Sequence, residues 1–412
     1  MNFLPSFSYL SRRDWSLLVG NALDHFDSAL YGLLAPILAP LFFPHHDPVV
    51  QLILAYSVLG TSLITRPLGA FIFGVWAHKS NPMRVLSFSL MGVAVSTAAM
   101  GFLPLHASIG GMAAFGLILL RLIRGTFAAG DGTIAKVYIL ENKTRRQSAS
   151  LSHLYQSFSM LGTIVASLVV TLILLTPSPT DYWRWPFWAG AFTAFIGLYL
   201  RREVKSQSVA PSSFSLPSLS AVSLLKKDYK GVFKIAGVTN IAWLTYAVPF
   251  VFLNTFVPLV TSITLAEMMA LNTIFLWIDM LLIPFIGEVF KKFSPKQVMG
   301  GSGLVLMMTL FPLFHFMEGS SLGYVIFVRF WIILLGIIYL CPLHVFYLDQ
   351  FKGNQKYLLI GMDNALSAAT VGKLTPAIGL FLWHETGWIG APALYMVILC
   401  AFGVWALKKS RG

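Results

Sequence analysis

Eleven ionisable side chains stand inside otherwise apolar stretches of this 412-residue chain: Asp24, Asp27, Asp131, Asp279 and Asp363 against Arg66, Arg121, Arg124, Lys136, Arg329 and Lys373. A charge at the centre of a membrane span costs from about 2.5 to above 10 kcal/mol unless it is paired or wetted, so each needs a reason. Asp24 and Asp27 are three residues apart and share a helix face that Tyr31 extends by another turn. Two carboxylates so close in a low-dielectric setting resist ionising together, which suits one of them to take up and release a proton. The plainer alternative is that each pairs with an arginine and pins helix packing.

Arg121 and Arg124 repeat the three-residue spacing, and Asp131 lies seven beyond Arg124 on the same face. A guanidinium stays charged when buried and offers a flat fork to a carboxylate. Arg124 could therefore hold a substrate carboxylate or Asp27, or form a fixed strut with an aspartate. Arg66 precedes Pro67, which frees a backbone carbonyl nearby, and a pairing with the acids of the first or fourth span is expected. Asp363, Asn364 and Lys373 mark a second polar stretch, with Lys373 a further anion anchor or the partner of a distant acid. His25, beside Asp24, could titrate near neutrality or serve as a hydrogen-bonded packing residue. Trp243, Tyr246, Trp277 and Trp331 could offer an aromatic face to a quaternary ammonium. Trp183, Trp185 and Trp188 read as an interfacial belt.

Other chemistries find less support. His344 and Asp349 match a spacing in which an aspartate orients a histidine base, as in membrane acyltransferases, yet no second motif accompanies them. Gly372-Lys373 lacks the rest of a phosphate loop, and no Cys/His cluster has metal-ligand spacing, so no cofactor beyond a coupling proton is expected.

The elements that must carry these residues are membrane helices. The chain is 57% hydrophobic and only 11% charged, with a mean hydropathy of +0.75; soluble domains carry roughly 25% charged residues. Twelve spans are expected, over 15–41, 50–77, 84–104, 109–139, 149–176, 183–202, 231–260, 265–290, 297–316, 321–348, 357–382 and 388–407. The net charge of +13 raises the question of nucleic acid, but 22 of the 29 Lys and Arg fall on one set of loops and helix ends. That is the positive-inside pattern, and it predicts both termini in the cytoplasm with no nucleic-acid role. Met1–Ser11 lacks the features of a signal peptide, so the first span is expected to be retained. Cys341 and Cys400 both lie in expected spans, which implies no disulfide framework.

A serine-, proline- and charge-rich stretch separates six spans from six, giving an N-terminal bundle over 1–202, a cytoplasmic linker over 203–230 and a C-terminal bundle over 231–412. The halves echo each other at an offset of 213 residues: Gly74, Lys79 and Pro82 recur as Gly287, Lys292 and Pro295. Each echo sits in the short loop after a half's second span. The expected fold is all-α, with twelve transmembrane helices in two pseudo-symmetric six-helix bundles and a site near the midplane.

Four stretches carry a family resemblance. They are Gly20-Asn21…Asp24…Asp27 with Tyr31-Gly32 and Phe42-Phe43-Pro44; Arg66-Pro67-Leu68-Gly69 with Phe73-Gly74 and Lys79; Arg121…Arg124-Gly125…Gly130-Asp131…Glu141…Arg145-Arg146; and Trp183-Arg184-Trp185-Pro186-Phe187 with Leu198-Tyr199-Leu200-Arg201. Together they resemble the metabolite:H⁺ symporter family of the major facilitator superfamily, most of all its proline/betaine transporter branch. In the second half only Leu374-Thr375-Pro376 is similar. His25, His78, Arg124 and Lys373 depart from the family pattern.

The resemblance implies a secondary transporter, not an enzyme, working by alternating access as a functional monomer in the inner membrane. It implies a small solute: a zwitterion such as proline or betaine, or a di- or tricarboxylate such as 2-oxoglutarate or citrate. Asp24, Asp27 and Asp131 are the expected proton-coupling residues. His25, Tyr31, Arg66, Arg121, Arg124, Asp363, Asn364 and Lys373 are the expected substrate contacts. His78, Lys79 and Arg84, with Asp131 or Glu141, are the expected cytoplasmic gate. A membrane sensor without flux is the alternative from another class.

Overall fold

The computed structural model describes residues 10–80, 82–140, 145–190, 220–290, 292–350, 363 and 366–410. The described residues are helical with connecting turns and contain no strand, as lipid demands of a chain that must satisfy every backbone group internally. Ten described helices are long and apolar enough to cross a membrane. The expected sixth and eleventh spans fall partly outside the described residues.

Local sequence explains where the helices start. Helix α1 (Arg12–Phe42) opens on a reciprocal cap. The Ser11 N–H and hydroxyl donate to the Asp14 carboxylate at 3.0 and 2.9 Å, and the Asp14 N–H donates to Ser11 Oγ at 3.2 Å. Its 31 residues span about 46 Å at 1.5 Å each, enough to cross a bilayer with Pro36 and Pro40 inside it. Helix α2 (Pro48–Ser57) begins at Asp47, whose Oδ1 accepts from the Val49 N–H at 2.7 Å, with Pro48 in the first turn where a missing N–H costs nothing. A short 3₁₀ turn then leads into α3 (Ser62–Lys79). Three more long helices follow before residue 175: α4 (Pro82–Phe102), α5 (Met112–Leu140) and α6 (Arg145–Leu174).

The later helices are α7 (Ser220–Ala247), α8 (Leu253–Val260), α9 (Leu265–Phe290), α10 (Pro295–His315), α11 (Leu322–Leu340), α12 (Leu343–Gln350), α13 (Lys373–Thr386) and α14 (Ala391–Lys409). A π turn at Val248–Phe252 joins α7 to α8, and another at Ala368–Gly372 leads into α13. Thr264 and Glu267 cap α9 as Ser11 and Asp14 cap α1. Helix α7 starts within the stretch expected as linker, while 203–219 lies outside the described residues.

Two compact units emerge: Met1–Leu34 with Ile64–Leu219, and Ala35–Leu63 with Ser220–Gly412. In the first, small residues bring helices together. A Cβ on Gly162 of α6 would fall 2.0 Å from the Ala22 carbonyl oxygen of α1, and one on Gly69 of α3 would fall 2.1 Å from the Thr126 carbonyl of α5. Such close approach supplies dispersion contact where no hydrophobic force acts between helices in lipid. The Asn21 amide donates to the Tyr155 carbonyl at 2.8 Å and to Ser159 Oγ at 2.7 Å, tying α1 to α6 with polar bonds. Leu17, Leu18, Phe73, Val85, Leu86, Leu151 and Tyr155 form the adjoining core.

In the second unit α7 packs on α14, where the Gly403 α-carbon approaches Ile241 and the Gly237 carbonyl. The segment Ala35–Leu63 packs on α13, with Gly60 against Leu374. At the head of α2, Asp47 Oδ2 meets His384 Nε2 at 2.7 Å near the end of α13. The first and eleventh interspan loops therefore share one face of the membrane, as twelve spans require. Across the chain, Ile64, Val95, Leu172, Phe285 and Ile398 are each more than half exposed, while Asp27, Arg121, Arg124, Arg329 and Asp363 are buried. Apolar side chains outside and charges inside is the arrangement a lipid solvent selects.

Candidate functional site

The face of α1 that carries Asp24, Asp27 and Tyr31 meets polar residues from three other helices of the first unit. Thr97 comes from α4, Arg121 and Arg124 from α5, and Arg66 from α3, within electrostatic range of Asp24 and Arg124. The three-residue spacing on α1 and on α5 places each pair on one side of its helix, so the four groups converge.

Their partners differ. Arg124 Nη2 donates to the Asp24 backbone carbonyl at 3.3 Å and lies 3.5 Å from Asp24 Oδ1. Asp27 is instead bonded to a neutral group: Thr97 Oγ1 donates to its Oδ2 at 3.0 Å, and its Oδ1 has no hydrogen-bond partner. A Cβ on Gly190 would fall 2.3 Å from that same Oδ1, so only glycine leaves the carboxylate its place. Arg121 stacks its guanidinium over the Tyr31 ring, 4.5 Å from the centroid, a cation–π contact that leaves the in-plane N–H groups uncommitted. Arg121 Nε and Nη1 are buried and have no hydrogen-bond partner. Three guanidinium groups thus gather about two carboxylates. The surplus positive charge, with two nitrogens of Arg121 lacking a hydrogen-bond partner, suits the cluster to an anionic group.

Other expected site residues fall in varied places. His25 Nδ1 lies 2.9 Å from the Asn21 carbonyl, which can only accept, so this nitrogen carries the hydrogen and donates along the helix. Arg84 is exposed at the start of α4. Lys373 opens α13 directly after the π turn and is half-buried. Asp363 is fully buried in the second unit and accepts from Thr239 Oγ1 at 2.5 Å. Asn364 and Glu141 lie outside the described residues, as do the side chains of His78, Lys79 and Asp131.

The second unit holds a polar centre around Arg329. Arg329 is fully buried, and its acceptors are neutral: Asn254 Oδ1 at 2.7 Å, the Met268 carbonyl at 3.2 Å, and Asn272 Oδ1 in a short contact. The Phe275 ring lies 5.5 Å away. The four aromatics proposed as a face for a quaternary ammonium do not converge. Trp243 packs edge-on to Tyr246, Trp331 donates to Thr309 Oγ1 at 3.1 Å, and Trp277 is 43% exposed. Of the expected aromatic belt, Trp185 is exposed, whereas Trp183 is fully buried with Arg184 stacked 4.5 Å over it. Among the described residues no group of His, Cys, Asp and Glu could hold a metal ion.

Thr97, Gly190, Asn254, Asn272, Thr239 and Tyr347 are the site residues that sequence reasoning passed over. Only the two asparagines carried a signal, as amides inside apolar spans.

Comparison with known proteins agrees with this architecture. A profile of the Major Facilitator Superfamily matches residues 17–265. A putative proline/betaine transporter of Staphylococcus haemolyticus is 25% identical over 398 residues, covering 93% of this chain and 84% of its own. The proline/betaine transporter of Salmonella typhimurium is 24% identical over 417 residues, covering 94% and 80%. Among solved structures, a D-xylose-proton symporter superposes with a TM-score of 0.76 at 14% identity, over 97% of both chains. An inward-open structure of the xylose transporter from E. coli superposes at 0.70. These are transporters and not enzymes, and with a matching profile across more than half its length this multi-pass membrane protein belongs to the Major Facilitator Superfamily.

Proposed function

We propose that the protein is a proton-coupled symporter of a small carboxylate-bearing solute, moved by alternating access across the cytoplasmic membrane. The observation that carries this reading is the unequal treatment of the two acids on α1. Asp24 faces Arg124, whereas Asp27 is buried beside a single hydroxyl with one oxygen open. A carboxyl in that position exchanges a proton more readily than one tied to a guanidinium, because uptake of the proton breaks no ion-pair hydrogen bond. Asp27 is accordingly the proton carrier, and Asp24 with Arg124 holds α1 to α5.

The solute class follows from Arg121, whose two open N–H groups favour a carboxylate. A zwitterion of the proline or betaine kind is preferred, in keeping with the relatives named above; its cationic end would answer to Asp27. A dicarboxylate is the second reading, supported by the surplus of guanidinium groups around two acids. Both termini and the basic loops are assigned to the cytoplasm, where His78, Lys79, Arg84, Asp131 and Glu141 would gate, and the functional unit is a monomer.

The test is uptake of proline, betaine and 2-oxoglutarate into proteoliposomes under an imposed pH gradient. Accumulation that a protonophore abolishes is expected, with Asp27→Asn retaining exchange of solute across the membrane while losing uphill accumulation. Uphill accumulation at full level in Asp27→Asn would remove Asp27 from the mechanism, and absence of flux for every solute would favour a sensor.

A further inference from the structure

Asp363 is a fully buried carboxyl of the second unit. Its neighbours are hydroxyls. Thr239 of α7 places Oγ1 at 2.5 Å from Asp363 Oδ2, at 2.6 Å from the Tyr347 hydroxyl of α12, and at 3.1 Å from the Ile235 carbonyl one turn back. The titratable groups facing this junction are Tyr347 from α12 and Tyr339 from α11, with Cys400 of α14 beside Tyr339. Among the described residues no lysine, arginine or histidine reaches the carboxyl.

The surroundings of Asp363 decide its charge. Thr239 and Tyr347 each have one hydroxyl hydrogen to give, and Thr239 shares its own between Asp363 Oδ2 and the Ile235 carbonyl. Asp363 Oδ1 is buried with no hydrogen-bond partner. A bare carboxylate in that position, with no cation near it among the described residues, is heavily disfavoured, and a proton on the open oxygen removes the charge.

We infer that Asp363 is a second proton-binding site, held closed by Thr239 and Tyr347. The junction joins α7, α12 and the stretch leading into the Ala368–Gly372 π turn, five residues beyond Asp363. Loss of the proton would leave a buried charge that needs water, so the site releases its proton only when these helices part. The inference stands apart from the assignment of Asp27, which belongs to the other unit.

Infrared spectroscopy of the purified protein in lipid tests it without a known solute. The expected result is that Asp363→Asn at neutral pH removes one carbonyl-stretch band of a protonated carboxylic acid. Thr239→Val and Tyr347→Phe should each shift that band by removing a hydrogen bond, and they keep the test open where Asp363→Asn does not fold. Asp27→Asn should leave it in place, which separates this site from the carrier proposed above. A wild-type-minus-Asp363→Asn spectrum showing only carboxylate bands, or a band that none of the three substitutions moves, would overturn the inference.

Discussion

Replacing Arg121 with glutamine removes the charge and keeps a side chain able to lie against Tyr31. The guanidinium has two buried nitrogens with no protein partner, Nε and Nη1, which lie on different edges of the plane, so one carboxylate can bond to either but not bridge both. A hydrogen bond to an ionised group contributes about 1.5–3 kcal/mol, which the carboxylate would lose if that bond were not replaced. The glutamine amide recovers one neutral hydrogen bond of about 1 kcal/mol, which leaves a loss of about 0.5–2 kcal/mol. At about 1.4 kcal/mol per tenfold, affinity for the carboxylate solute should fall by about 2- to 30-fold. Arg124→Gln should behave differently, because Arg124 is engaged with Asp24: its main effect falls on coupling and helix packing, with a smaller change in solute affinity. The assay is competition of unlabelled solute against radiolabelled proline or betaine in counterflow, which needs no proton gradient. Unchanged affinity in Arg121→Gln together with a large loss in Arg124→Gln would refute the assignment and make Arg124 the anchor.

Two further predictions follow from the second unit. His384 presents Nε2 to Asp47 at 2.7 Å and Nδ1 to Glu385 at 3.2 Å. The bond to Asp47 and then that to Glu385 raise the histidine above its ordinary 6.5, while the same histidine and the Val49 N–H hold Asp47 below the usual carboxylate range. A raised histidine contributes below its ordinary value and is lost as pH rises through the folded one, and a depressed aspartate contributes until pH falls through its own. The contact between the head of α2 and the end of α13 is therefore strongest from the bottom of the carboxylate range to above 6.5 and weakens on alkalinisation. With Cys341 and Cys400 replaced by serine, an Ala55→Cys reporter in the buried face of α2 should react faster with an impermeant thiol reagent as pH rises. The rate is taken relative to the same reporter carrying His384→Gln, and a ratio flat with pH would rule out the contact as a pH-dependent one. For Arg329, Asn254→Leu should destabilise by about 1.5–3 kcal/mol through loss of a bond to a buried charge, whereas Arg329→Met in the same background should recover part of that loss. Thermal unfolding of the four proteins of this cycle checks it, and strictly additive losses would show that the two residues do not act together.

What was legible in the sequence was what composition and periodicity control. Long apolar runs set the spans, and Ser11-x-x-Asp14 and Asp47-Pro48 announced helix starts through chemistry confined to a few residues. The ionisable residues inside spans stood out because lipid makes each one costly, which is why Asp24, Asp27, Arg121 and Arg124 could be picked out together. Which acid faces which base could not be read, because that depends on rotations of α1 against α5 that several pairings of similar energy would allow. Arg124 turned to Asp24, and Asp27 found Thr97, a residue with no distinguishing neighbour in sequence. Asn254, Asn272 and Arg329 come from three helices, so their meeting is a property of packing alone. The aromatic face failed for the opposite reason: with 14% aromatic residues, spacing that looks purposeful arises readily by chance.

The π turns at Val248–Phe252 and Ala368–Gly372 each lodge one more residue in the helix than an α-helical turn would hold. An extra residue of this kind is a phase defect. If it moves along the helix by a turn, every residue it passes rotates by about 100° and advances about 1.5 Å while the ends stay where they are. Thr239 lies before the first defect, and Lys373 immediately after the second. Lys373 can thus be swung about its helix axis by relocating a single peptide bulge, without any bending of the span. Deleting one residue from 368–372 would fix that phase, and the orientation of Lys373 with it.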